Sequence, residues 1–102
     1  MPLERMVEVR LSIKARRDLK DIWRFGRQQW GEAQADTYAR ALAAAMDLLA
    51  EQPRVGISAE LALPNGRRWK VGAHHIYYRL EGPVVRIVRI LSAKQDPARH
   101  LP

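Results

Sequence analysis

Apolar and polar positions change period along this chain, and each change marks a new element. Val7, Val9 and Leu11 alternate with Glu8 and Arg10, which predicts a strand with one buried face. After Ser12 the spacing lengthens. Ala15, Leu19, Ile22, Trp23, Gly26 and Trp30 fall on one side of a helix, with Ser12 placed to cap it and Asp18 near its positive end. Gly31 interrupts that stripe, and Glu32 opens a second helix with its own stripe at Ala35, Tyr38, Leu42, Ala45, Met46 and Leu49, which Pro53 ends. With only Trp30-Gly31 between them, the helices should fold back as an antiparallel hairpin. The alanines from Ala39 to Ala50 allow close approach.

Arg54 to Gly66 contains Gly56, Pro64 and Asn65-Gly66 and reads as a loop returning to the sheet, pinned to the core by Leu61 and Leu63. Three strands follow: Arg68 to Val71, His75 to Leu80 after Gly72-Ala73, and Val84 to Leu91 after Glu81-Gly82-Pro83. In the last, strict alternation groups Val84, Val88 and Ile90 with Arg86, and Val85, Ile87 and Leu91 with Arg89. The two arginines should therefore leave in opposite directions. Apolar residues on both faces predict an interior strand with helices covering one side. The expected fold class is α+β, a single domain over residues 1–102: an N-terminal strand, a helical hairpin, then a three-stranded antiparallel meander forming one sheet with the helices on one face.

Length and composition agree with one modest core, since 47% of the 102 residues are hydrophobic. No run approaches a membrane span, and MPLERMVEVR lacks the continuous apolar segment of a signal peptide. The absence of cysteine excludes disulfides and thiolate metal sites and suits a reducing cytoplasm, the location we expect. Charge changes the picture more. The net +7 is uneven: eight basic against four acidic groups in residues 1–30, two against five in 31–66, and eight against two in 67–102. A field of this kind favours an acidic or polyanionic partner.

Candidate chemistry is sparse. The helix-one cations Lys14, Arg16, Arg17, Lys20, Arg24 and Arg27 form the solvated face opposite the apolar stripe, although they can also meet an acidic partner. Trp69 between Arg68 and Lys70 resembles a base-stacking platform but is more simply a core or rim residue. Tyr78 alternates with Ile76 and Leu80 and reads as core. His74 and His75 point to opposite faces of a strand and have no carboxylate or thiol partners at recognisable spacing. No phosphate loop, nucleophile elbow or pair of catalytic carboxylates appears, and nothing in the residues calls for a metal or cofactor.

The order of elements, strand, helical hairpin and three antiparallel strands, resembles the ParE/RelE superfamily of bacterial type II toxins. LSIKARRDLKDIWRFGRQQWGEAQADTYARAL is similar to the ParE branch at Ala15, Asp18, Leu19, Ile22 and Trp23, at the Trp30-Gly31 hinge, and at Ala33 and Ala35. Pro53 and Gly56 match its Pro-x-x-Gly, VGAHHIYYRLEGPVVRIVRIL its final hairpin, and Asp96, Pro97 and His100-Leu101 its ending. One departure stands out. Many relatives carry His, a small or polar residue, Arg and Met after the last strand, where this chain has Ser92, Ala93, Lys94 and Gln95.

The resemblance implies a non-catalytic toxin that binds DNA gyrase and blocks replication, opposed by a ParD-like antitoxin in a hetero-oligomer. Under it, Arg68, Lys70, Arg79, Arg86, Arg89, Lys94 and Asp96 become candidate target contacts. Trp23, Trp30, Tyr38 and Leu42 become candidate antitoxin contacts, unless they simply pack against the sheet. Two alternatives follow from the same superfamily: a RelE-like ribosome-dependent mRNA endonuclease, or an inactive homologue that serves as a binding module. Cleavage needs a base, an acid and cations on the phosphate. Only Tyr77, Tyr78, His74 and His75 lie near enough to supply the first two.

Overall fold

The N-terminal strand β1 (Glu8–Leu11) turns directly into a helix, and a single serine organises the junction. In the computed structural model, which describes residues 7–102, Ser12 Oγ accepts the Ala15 N–H at 2.9 Å and caps α1 (Ile13–Trp30). Gly31, at φ 92°, makes the hinge to α2 (Glu32–Glu51), a conformation that side chains with a Cβ rarely adopt. Trp23 Nε1–H donates to Asp36 Oδ1 at 2.8 Å and braces the two helices against each other. The first six residues of the predicted 1–102 domain lie outside the described part.

The predicted loop contains a two-residue strand, β2 (Ile57–Ser58), which precedes β3 (Gly66–Val71), β4 (His74–Glu81) and β5 (Val84–Ser92). A short helix, α3 (Pro97–His100), follows, with Asp96 as its N-cap. The sheet therefore has five strands in the order β1-β5-β4-β3-β2, one more than the pattern predicted. β1 pairs parallel to β5, with Val9 opposite Val85 and Leu11 opposite Ile87, and the other pairs are antiparallel. Tying the first strand to the last places the hairpin across one face.

Two apolar clusters, one on each face, hold the sheet. On the helix side Ala15, Leu42, Ala45 and Leu49 pack against Ile76, Tyr78, Val85, Ile87 and Ile90. Each fully buried Leu or Ile of this kind contributes about 1.5–3 kcal/mol. On the opposite side Ala59 and Leu63 cover Tyr77, Val88 and Leu91, with Leu101 packed beside them. Leu63 pins the loop as expected, but Leu61 is fully exposed and pins nothing.

The face assignment along β5 also departs from strict alternation. Tyr78 pairs with Ile87 and Tyr77 with Arg89, so Val88 is an extra, bulged residue. Past it every side chain changes face: Ile90 joins Val85 and Ile87 on the helix side, while Leu91 joins Val88 on the other. The arginines are affected too. Register places Arg89 opposite Tyr77 and Arg86 opposite Arg79, so both start from the face away from the helical hairpin rather than from opposite ones.

Candidate partner and target surfaces

The helical hairpin and the sheet do not close fully at the hinge end. Between them lies a groove of about 640 Å³, with Ile22, Phe25, Gly26, Trp30, Ala35 and Tyr38 on the helices facing Ala73, His74 and the segment Ser92 to Gln95. Phe25 and Trp30 are 57% and 67% exposed and stack edge to face at 5.9 Å. Large aromatics left open beside a groove mark a surface that a partner covers. The pattern placed Trp30 on the core stripe and left Phe25 off it. An apolar residue outside the stripe, next to Arg24, was the available signal.

The candidate antitoxin contacts divide accordingly. Trp30 and Tyr38 line the groove. Trp23 does not; it is half-buried, donates to Asp36 and lies under the Arg27 guanidinium at 5.2 Å. Leu42 is 1% exposed in the helix-side core and offers no surface, a correction to its candidate role. Its place on the stripe could not distinguish core from groove, because both lie on the same side of α2.

The face away from the helical hairpin carries these cations. Val9 and Leu11 pack on the core, so Glu8 and Arg10 point away, and Arg10, Arg86 and Arg79 stand side by side on three adjacent strands. Like charges directly opposite one another destabilise a sheet. Glu8 accepts from Arg10 at 3.0 Å and Glu81 from Arg86 at 2.7 Å, which offsets part of the repulsion. Arg79 Nε–H donates instead to the Pro64 carbonyl at 2.9 Å, and no carboxylate pairs with it among the described residues. Arg68 and Lys70 stand opposite Tyr77 and His75 on the same face. Burial, then the Arg68 and Lys70 charges, push His75 below the usual imidazole range.

Arg89 is committed elsewhere. It holds Asp18 through two bonds of 2.8 Å, and Asp18 Oδ2 also accepts the Ile90 N–H, at the β5 edge beyond the last residue that β1 covers. Its third bond goes to the His100 carbonyl at 3.0 Å. Lys94 is exposed at the groove, away from the other cations, and Asp96 accepts from the Ala98 N–H as the α3 cap. The seven target candidates thus do not form one patch. Arg68, Lys70, Arg79 and Arg86 share one face of the sheet, and Arg10, which sequence reasoning missed, joins that face because β1 pairs in register with β5.

The groups considered for acid–base chemistry are mostly occupied. Tyr77 is 2% exposed. The Tyr78 hydroxyl donates to the Pro53 carbonyl and accepts the Gly56 N–H, and burial raises its pKa. Trp69 packs on the helix-side core, away from Arg68 and Lys70, and cannot share a nucleic-acid platform with them. His74 lines the groove and His75 faces the cations, so the two do fall on opposite faces. Among the described residues no group of three His, Cys, Asp or Glu side chains is placed to hold a metal, and no helix is long and apolar enough to cross a membrane.

Comparison with known proteins adds four findings. A family model described as ParE toxin of type II toxin-antitoxin system, parDE, matches residues 9–97. Toxin ParE1 of Caulobacter vibrioides is 40% identical over 96 residues, 94% of this chain and 99% of that protein. Toxin ParE1 of Mycobacterium tuberculosis is 35% identical over 92 residues, 89% and 94% of the two chains. A solved chain described as the chromosomal ParDE TA system from P. aeruginosa superposes with a TM-score of 0.78 at 18% identity, covering 89% of this chain and all of that one. That last likeness concerns the fold.

Proposed function

Because the chain belongs to the ParE toxin family of type II toxin–antitoxin systems, we propose that it arrests growth by binding DNA gyrase, trapping the enzyme on cleaved DNA, with no catalysis of its own. The observation that carries this reading is the concentration of cations on one face of the sheet. Arg10, Arg86 and Arg79 in one row, with Arg68 and Lys70 beyond, make a cationic face suited to an acidic or DNA-bearing target. Supercoiling by purified gyrase tests it. Excess toxin should slow the reaction and accumulate linear DNA, and undiminished supercoiling without linear product refutes the proposal.

The partner that neutralises it is, in this reading, a ParD-like antitoxin whose C-terminal segment orders as it fills the groove at the helical hinge. Phe25 and Trp30 supply the exposed apolar contacts for an amphipathic segment, and Tyr38 lines the same groove. Co-purification with the product of the adjoining gene, weakened at least tenfold by Trp30→Ala, is the expected result.

One observation favours a second reading, an mRNA endonuclease of the RelE kind. His75 stands among Arg68 and Lys70 with its pKa lowered, which suits a base beside a phosphate. Against it, no acid faces His75 from the neighbouring positions, where Lys70 and Leu91 stand. Induction separates the readings: cut transcripts and a prompt stop in protein synthesis indicate the nuclease, whereas filamentous cells with a DNA-damage response indicate the gyrase poison.

A further inference from the structure

At the floor of the groove Tyr38, His74 and the β3–β4 turn form a cluster whose proton positions follow from its distances. A phenol has one proton and two lone pairs. The Tyr38 oxygen lies 2.9 Å from the Val71 carbonyl oxygen, which can only accept, so the phenol proton lies between them. The same oxygen must then accept from its two other neighbours, the Ala73 N–H at 3.2 Å and His74 Nδ1 at 2.6 Å. Nδ1 therefore carries the proton. In the neutral ring that leaves Nε2 with a free lone pair.

Nothing in the described chain uses that lone pair. Nδ1 is the ring atom in the one hydrogen bond of the His74 side chain among the described residues, and no buried polar side-chain atom among them lacks a partner. Nε2 is consequently open to solvent, on a ring that lines the groove. Its surroundings favour the neutral form. Burial, the largest influence, and His75 push the pKa below the usual imidazole range, against the opposing pull of Asp18. Asp21 on α1 and Lys94 after β5 are the other charged groups lining the groove.

We propose that His74 Nε2 is the recognition acceptor of this groove: the docking segment must bring an N–H or O–H donor to it, and a carboxylate there is rejected. This rests on the groove being the antitoxin site. The selectivity comes from the cost of leaving a polar atom unpaired once the segment excludes water. Acidification inverts the requirement, because the imidazolium presents a donor at Nε2 where the segment also presents one. The Nδ1 bond to Tyr38 would brace the tyrosine whether or not Nε2 had a role, so the test must separate the two nitrogens.

Histidine ¹⁵N–¹H NMR of the free toxin at pH 7.5 should show Nδ1 protonated and Nε2 bare, and the reverse tautomer overturns the proposal. Affinity for the purified product of the adjoining gene is then measured between pH 5.5 and 8. His74→Asn can keep an N–H donor for the Tyr38 oxygen, but its shorter side chain has no atom where Nε2 stood. It should bind about tenfold more weakly at pH 7.5, the scale of one buried hydrogen bond, and lose most of the affinity drop that wild type shows on acidification. Unchanged affinity and an unchanged pH curve in His74→Asn overturn it while Trp30→Ala still binds poorly, which would leave the groove itself intact as the docking site. Wild-type affinity in Trp30→Ala means the segment docks elsewhere, and then both readings fall.

Discussion

Asp18 is one carboxylate with three hydrogen bonds, two from Arg89 and one from the Ile90 backbone. Both partners of the ion pair are mostly buried, at 13% and 11% exposure, so removing one charge leaves the other uncompensated. Asp18→Asn should cost about 3 kcal/mol in urea unfolding, near the low end for a broken buried pair. By contrast, the open Arg10–Glu8 pair should change stability by under about 1 kcal/mol when either side is neutralised. His74 and His75 add a pH dependence of known sign. Both have folded pKa values below the ordinary one, so the unfolded chain binds protons first as pH falls. Stability is full above the unfolded value, about 6.5, and declines as pH drops through it toward the folded values. The melting temperature should accordingly be lower at pH 5.5 than at 7.5, with part of the difference absent in His74→Asn.

At the scale of elements, most of the architecture was legible. Period-two alternation gave β1, the two stripes gave the hairpin, and Gly31 gave the hinge. What the pattern could not show was non-local. β2 has two residues and makes a strand only because Ile57 and Ser58 meet Arg68 and Arg67. The β5 bulge is invisible for the same reason: Val88 is ordinary in sequence, and its displacement depends on which residues of β4 stand opposite. Ser12 anticipates it. Its hydroxyl donates to the Val88 carbonyl at 2.7 Å while its N–H donates to the Ile87 carbonyl, so the helix cap also ties down the bulged strand. Ser12→Ala should lose about 1–2 kcal/mol, measured by thermal or urea unfolding. Ser12→Asp should restore only part of that, since a carboxylate can cap but cannot donate to Val88.

Over the whole molecule, the sheet separates two surfaces, an apolar groove at the helical hinge and a cationic face on the far side. The uneven charge was plain in the sequence, but which cations act together was not, because that depends on register. Arg10 and Arg86 are adjacent only through a parallel pair spanning the chain, and Lys94 and Arg89 leave the patch for reasons of local geometry. The separation makes the proposed functions independently mutable. Arg68→Gln with Lys70→Gln should reduce growth arrest on induction at least tenfold, while changing antitoxin affinity less than about threefold, the scale of exposed charges outside a contact. Equal losses in both assays would mean that one surface serves both partners.

The pairing of β1 with β5 also sets when the protein can exist as a folded body. Glu8 meets Val84, Ser12 meets Val88, and Asp18 meets Arg89, each contact closing a loop of more than seventy residues. Such distant contacts are reached late, because the chain entropy of closure must be overcome before they stabilise anything. A ribosome that has made the hairpin and β4 has therefore made no finished sheet. Neither the edge that receives β1 nor the row joining Arg10 to Arg86 is present until the last strand emerges. Synthesis stopped short of residue 84 would leave Arg68, Lys70 and Arg79 on the β3–β4 hairpin but neither Arg86 nor the strand that sets Arg10 beside it, so the full cationic row exists only once β5 has been made.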